Sequence, residues 1–404
     1  MESVIERMER IGAEEKIEKF RQMQRLPYRS KLNHAYLRIR EFKNECYQRD
    51  LNCHVSVGGL DSIVLFLFIR KNGYDDVPGI SRSSLEDASN RRVHQSLGII
   101  PIGAAKDENG RTYTKPRIIQ EFGFPVLSKE VASKVELLQH PSEDNQTVRH
   151  AIITGETGAY GGNRKGTRMK LAQRWLDLFG GYENETEGVN YQIPPEHVKL
   201  SSKCCYYLKE KPCEDWAKEH NSVPYLGLMA SEGGRREKSL MINGCNYFGK
   251  TTIRSAPFAI FLRQDIIRLA LEMDEWYRTE YKFTLAETLG KNPDDMVESI
   301  IPKAYGEIRE NTKGELYTTG AQRTGCDMCG FGIHLEKRPH RFDRLHESNP
   351  TGWAYWMKEC CKGKDGESYG WGEILDYLGI SWDFTPDGRM LNIDGQLSLF
   401  REGS

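Results

Sequence analysis

Two glycines, two arginines and four cysteines carry the chemistry most open to reading in this sequence. In Ser56-Val57-Gly58-Gly59-Leu60-Asp61-Ser62 a turn joins the short β-type run His54 to Val57 to the start of an apolar helix. Glycines there let backbone amides approach an anion, and the helix N-terminus adds favourable electrostatics, so phosphate or pyrophosphate is the natural guest. Ser56, Gly58, Gly59, Asp61 and Ser62 are the candidate contacts. The alternative for the same residues is a tight turn in which Asp61 and Ser62 only cap a helix. Arg235 and Arg236, in Ser231 to Ser239, offer bidentate donors to a second, distal oxyanion, or else are solvated at a helix start. Cys204-Cys205 and Cys326-Asp327-Met328-Cys329 are separated by about 120 residues, and thiolates at such spacing converge on a metal. Adjacent cysteines diverge, which suits a [4Fe–4S] cube, where each sulfur reaches a different iron, better than the four corners of one zinc tetrahedron. The alternative is four reduced, partly buried thiols. Cys213 and Cys245 have no matching partner and are expected to be structural.

These residues need elements to hold them. Apolar residues at roughly helical spacing (Ile5, Met8, Ile11, then Tyr36, Ile39, Phe42) predict an N-terminal extension of surface helices over residues 1–50. From His54 the pattern becomes strand, glycine turn, apolar helix closed by Asn72 and Gly73, a second strand at Val77 to Ile80, a Ser-led helix over Leu85 to Leu97, and a third strand at Gly98 to Gly103. That alternation predicts an α/β fold with a parallel sheet and right-handed crossovers. Val223 to Met229 reads as a further strand, with a helix around Phe258 to Met273. The expected organisation is an α/β domain over 51–350 with a Gly-rich, basic loop inserted at 155–170, a small helical region over 351–390, and a tail over 391–404. The 404-residue chain is too long for a small stapled scaffold, and its charges balance at 57 Lys plus Arg against 58 Asp plus Glu, so any basic site must be local. The longest uninterrupted apolar run, Ile63 to Ile69, is far short of a bilayer span, and no secretory signal is evident, so a cytoplasmic protein is expected. In such a reducing compartment, closely spaced cysteines point to metal or catalysis before disulfides.

The run His54 to Tyr74 resembles the pyrophosphatase loop of the family holding phosphoadenylyl-sulfate (PAPS) reductases and ATP-dependent thiolases, whose pattern is Ser-Gly-Gly-x-Asp-Ser after a strand. Gly58, Gly59, Asp61 and Ser62 match; Val57 stands in place of the first loop serine, which puts one hydroxyl contact to phosphate in doubt. Gly227 to Ser239 resembles the segment whose arginines meet the phosphate or sulfate end of the substrate, and the CC and CxxC pairs look like those of the iron–sulfur subset of adenylyl-sulfate reductases. The resemblance, discontinuous from about Val55 to Arg344, implies an adenine nucleotide α-hydrolase-like (PP-loop) fold, ATP or an adenylyl sulfate as ligand, a [4Fe–4S] cluster held by Cys204, Cys205, Cys326 and Cys329, and Mg²⁺ carried by ATP. It also implies a thioredoxin-like reductant if the chemistry is sulfate reduction. Reductases of this family carry a mobile C-terminal Glu-Cys-Gly-Leu/Ile-His segment, which this chain lacks; Cys360 and Cys361, read as lying in a helix, are the nearest candidates for an attacking thiol, with a structural pair as the alternative.

The tail points elsewhere. Gln396-Leu397-Ser398-Leu399-Phe400 resembles the bacterial sliding-clamp-binding pentapeptide at every position, with a final packed strand as the alternative. Relatives of this fold also insert sulfur into nucleic acids after ATP activation. The basic loop Asn163 to Lys170 and the aromatics Trp353, Tyr355, Trp356 and Trp371 are accordingly candidate DNA contacts, although such loops are usually solvated and such aromatics usually core. The combined expectation is a PAPS reductase-like enzyme acting on or near DNA, as an oxidoreductase or an ATP-dependent sulfur transferase. A metabolic adenylyl-sulfate or phosphoadenylyl-sulfate reductase and a non-catalytic clamp-associated module are the alternatives.

Overall fold

The computed structural model describes residues 4–183, 190–322, 324–326 and 328–396. Its strands in chain order are β1 (Asn52–Ser56), β2 (Gly79–Ser81), β3 (Ile100–Pro101), β4 (Val126–Leu127), β5 (Ser222–Leu226), β6 (Asn246–Phe248), β7 (Ile253–Ser255), β8 (Ile308–Glu310), β9 (Leu316–Thr318), β10 (Gly330–Phe331), β11 (Cys361–Lys362) and β12 (Ser368–Tyr369). The chain is mixed α/β with a mainly parallel central sheet. It divides into two compact units, each made of two segments: Met1–Ala104 with Lys211–Asp327, and Ala105–Glu210 with Met328–Ser404. The boundaries therefore fall at 104, 210 and 327, whereas the sequence pointed to 50, 350 and 390.

In the first unit six strands run in the order β3-β2-β1-β5-β7-β6, parallel except for β6 against β7. β1 is central because its residues Cys53, His54 and Val55 are all buried, as a strand covered on both faces requires. It leads through the glycine turn into α-helix Leu60–Lys71, whose run Ile63 to Ile69 is buried all round. The strand order reverses between β1 and β5, and ligands of open α/β sheets bind at the carboxyl ends of strands flanking such a reversal.

The N-terminal helices Val4–Gln24 and Tyr28–Gln48 are more than a surface extension, for Ala35, Ile39, Phe42 and Cys46 lie in the core of this unit. The Tyr225 hydroxyl of β5 donates to the Ile39 carbonyl at 2.9 Å, and Lys31 pairs with Asp265 at 2.6 Å. Two helix starts also differ from expectation for local reasons. Ser83 to Leu85 form only a 3₁₀ turn, and the following helix, Ala88–Ser96, begins where Asp87 accepts the Ser89 amide at 2.7 Å. Phe258 to Phe261 are buried turns, and the helix Arg263–Trp276 starts where Asp265 accepts the Leu262 amide at 2.7 Å.

The second unit has its own core, in which Trp371 packs edge-on against Phe124 and Phe342, each at 5.1 Å between ring centroids. β10 pairs in parallel with β4, Phe124 bridges to Leu200, and β11 and β12 form a hairpin. Among the described residues no helix is long and apolar enough to cross a membrane.

Candidate functional sites: the glycine turn and the cysteines

The glycine turn sits at the carboxyl end of β1, beside Gly227 at the end of β5. A Cβ on Gly227 would come within 2.9 Å of the Ser62 amide nitrogen, so this glycine is what lets the two strand ends close up. Within the turn, Ser62 Oγ accepts from the Gly58 amide and donates to the Gly59 carbonyl, both at 2.8 Å. Gly59 caps the helix with ordinary extended backbone (φ −85°, ψ −169°), so its value lies in close approach, not in a left-handed conformation. A Cβ there would meet the Tyr305 hydroxyl at 2.7 Å.

Asp61 faces a cation. Its Oδ1 pairs with Arg263 Nη1 at 2.7 Å, and Arg263 Nη2 donates to the Gln322 carbonyl at 2.9 Å. A carboxylate does not itself attract phosphate; its part here is to hold a guanidinium beside the turn. Buried His94 presents Nε2 to the Gly58 carbonyl at 2.8 Å and Nδ1 to Ser83 Oγ at 3.0 Å, so the hydrogen on Nε2 fixes the carbonyl of the turn. Glu86, also buried, lies 3.6 Å from where a Gly58 Cβ would be. Arg263, His94, Glu86, Tyr305 and Thr324 were not singled out in the sequence because no spacing ties them to residues 56–62. The one available signal was Gly227, a glycine inside the strand expected over Val223 to Met229. Arg235 and Arg236 open the helix Gly234–Asn243, but their side chains lie outside the described residues.

The cysteines divide by position. Cys204 and Cys205 lie in the helical turn Lys203–Cys205, which continues into a π-helical turn at Tyr206–Glu210. One stretch of backbone positions both this pair and Cys329: Phe124 bridges to Leu200 just before the first, and β4 pairs with β10 just after the second. Burial pushes the Cys205 thiol up, Cys329 adds in the same direction, and the Lys129 ammonium opposes them. Cys205 and Cys329 are thus close enough to feel each other's charge. Met328 sits between the CxxC cysteines with φ 54°, a left-handed conformation rare for a side chain of its size, and Arg341 donates to the Cys329 carbonyl at 3.0 Å. Cys326 lies three residues earlier, on the segment that ends the first unit, and Asp327 is outside the described residues. No disulfide joins any of the cysteines, and among the described residues no three His, Cys, Asp or Glu side chains stand close enough to hold a single metal ion. The soft donors, the nearby ammonium and the proximity of Cys205 to Cys329 fit a thiolate-ligated group.

Cys360 and Cys361 are different. They follow the helix Pro350–Lys358, the second opening β11, and both are buried in the core of the second unit with their Sγ atoms 3.9 Å apart. Of the aromatics named from sequence, Trp353 and Trp371 are core residues, Tyr355 is exposed, and Trp356 is half-buried with Lys115 Nζ 5.8 Å from its ring centre. An aromatic strip that no sequence spacing marks lies beside the cysteine turn: Tyr207 stacks on Phe122 at 4.9 Å and meets Tyr113 at 4.3 Å, while Lys203 lies over Phe122. The 155–170 loop is tied by Thr157 and Thr167 and holds Tyr160 and Lys165 out in solvent. In the tail, the Gln396 amide donates to Asn392 Oδ1 at 2.8 Å, and Leu397 to Phe400 are outside the described residues.

No family model matches the chain, and neither the curated proteins nor the solved structures compared with it contain a significant match.

Proposed function

We propose that this chain is a cytoplasmic PAPS reductase-like enzyme with an adenine nucleotide α-hydrolase-like first unit, which binds ATP or an adenylyl sulfate at the glycine turn and performs adenylylation-linked sulfur chemistry on or near DNA. The observation that carries the reading is the turn itself: glycine amides opening a buried helix at the strand-order reversal, with Arg263 held beside them by Asp61. In this reading the Gly59 amide, joined by the Gly58 amide once it leaves Ser62 Oγ, orients the phosphates, Arg263 offsets charge that develops on the leaving oxygen, and His94 keeps the turn from shifting. Arg235 and Arg236 take the distal anion, and Glu86 is a carboxylate beside the turn for a Mg²⁺ arriving with ATP. Cys204, Cys205, Cys326 and Cys329 would hold a [4Fe–4S] cluster, which supplies electron transfer or electrostatic tuning to sulfur chemistry when bound. The tail from Gln396 to Phe400 docks on a sliding clamp.

Anaerobically purified protein titrated with ATP, adenylyl sulfate and phosphoadenylyl sulfate, with and without DNA, tests this. DNA-dependent turnover of ATP is the expected result. Sulfite release with a thioredoxin-type reductant would establish the metabolic reductase, binding without turnover the non-catalytic module, and absence of binding would overturn the nucleotide site. A peptide spanning Asp394 to Arg401 should bind the clamp alone and compete with the full chain.

A further inference from the structure

Val57 deprives the glycine turn of a hydroxyl at the first loop position, and its own side chain is only 5% exposed, packed into the core. Two hydroxyls reach the turn from another part of the chain. Tyr305 Oη accepts from the Leu60 amide at 3.0 Å, and Thr324 Oγ1 lies 3.1 Å from Tyr305 Oη. Thr324 Oγ1 in turn accepts from Asn90 Nδ2 at 2.8 Å. A Cβ on Gly59 would stand 2.7 Å from the first hydroxyl and 3.2 Å from the second, so both lie against the face that glycine leaves open.

This cluster has more hydrogens to donate than acceptors to take them. The Leu60 and Asn90 N–H groups each fill one acceptor site, and one hydroxyl hydrogen is used between Tyr305 and Thr324. The other hydroxyl hydrogen has no acceptor among the described residues. Asn90 is fully buried (0% exposed), and its Oδ1 has no partner; with the carboxamide turned over, its oxygen takes the spare hydroxyl hydrogen and its NH₂ is the group left without an acceptor, so the cluster is an acceptor short in either orientation. Burying such groups is costly unless something completes them. An acceptor oxygen at the mouth of the turn takes the spare hydrogen, and its charge favours both the hydroxyls and the helix N-terminus.

We infer that Tyr305 and Thr324 are ligand-binding residues whose hydroxyls hold a phosphate oxygen at the glycine turn, in place of the serine that Val57 replaces. The inference rests on the nucleotide reading above and adds two residues and their role to it. Thr324 stands two residues before Cys326, so the same strap of chain that touches the phosphate leads directly into the CxxC turn.

Calorimetric titration of the full chain with ATP, and separately with inorganic pyrophosphate, tests the assignment. Tyr305→Phe and Thr324→Val should each weaken both ligands by about tenfold or more, the loss expected for a hydrogen bond to a charged group, while Thr324→Ser retains affinity. Equal losses for ATP and pyrophosphate place the effect at the phosphates. Unchanged or tighter binding by Tyr305→Phe would overturn the inference and make Tyr305 an internal cap that competes with the ligand. If Tyr305→Phe fails to fold by circular dichroism, the Thr324→Val and Thr324→Ser pair decides alone. If the unmodified chain binds neither ATP nor pyrophosphate, the nucleotide reading itself is wrong; if it binds both and the variants do too, only the hydroxyl assignment falls.

Discussion

Cys204-Cys205 and Cys360-Cys361 are the same dipeptide in the same compact unit, with opposite surroundings. The first lies in a helical turn, where successive side chains point roughly 100° apart, so the two thiols leave in different directions and Cys205 comes under the influence of Cys329 and Lys129. The second lies at a strand start with its sulfurs 3.9 Å apart, in the core with Trp371 and Phe124. There the two thiols hydrogen-bond to each other, which pushes the Cys360 thiol up and the Cys361 thiol down. Backbone conformation, not composition, decides whether the side chains of adjacent cysteines diverge or meet each other.

The largest effect that can break this contrast is on iron. Cys205→Ser or Cys329→Ser should reduce the iron of the anaerobic protein from about four per chain to near zero, and Cys360→Ser or Cys361→Ser should leave it unchanged, as measured by elemental analysis. Iron lost equally in both sets would erase the distinction. Next in size is Trp371→Ala, which empties the core around the buried pair and should cost about 3–5 kcal/mol in chemical denaturation, against less than about 0.5 kcal/mol for exposed Tyr355→Ala.

Cys361→Ser exchanges a buried sulfur for a smaller, more polar hydroxyl beside Cys360 and Tyr369 and should cost about 1–3 kcal/mol in the same assay, more than Cys205→Ser in iron-free protein. The smallest effect is a pH dependence. Because burial raises the Cys205 pKa, the folded iron-free chain keeps that proton more tightly than the unfolded chain does. Its contribution to stability is full below the unfolded thiol's pKa and is lost as pH rises through the folded value. Alkylation of Cys205 by iodoacetamide, followed by mass spectrometry, should therefore need a higher pH than a free thiol. Lys129→Ala should shift it higher still, since the ammonium favours the thiolate.

The glycine turn was the most legible part of the sequence. β1, the turn and the helix Leu60–Lys71 fall where the shift from a β-type run to an apolar run puts them, because each is set by neighbours within a few residues. What the turn touches was not legible. Arg263, His94, Tyr305 and Thr324 come from four different stretches of chain, brought in by sheet order and by helix starts that depend on single carboxylates such as Asp87 and Asp265. The aromatics show the same limit: Trp353 and Trp371 share a helical composition with Tyr355, yet only packing tells which ring faces water.

By itself, then, the sequence determined the local chemistry: a strand that ends in glycines, a helix apolar enough to be buried, and thiols at metal-ligand spacing. Tertiary structure alone decided which groups answer that chemistry. It put the Tyr305 and Thr324 hydroxyls against Gly59, paired Asp61 with a guanidinium, and separated one cysteine pair from the other. The physical reason is range. Propensity and capping act over one or two helical turns, whereas tertiary contacts such as that of Leu60 with Tyr305 join residues 245 positions apart and leave no periodicity in the sequence to mark them.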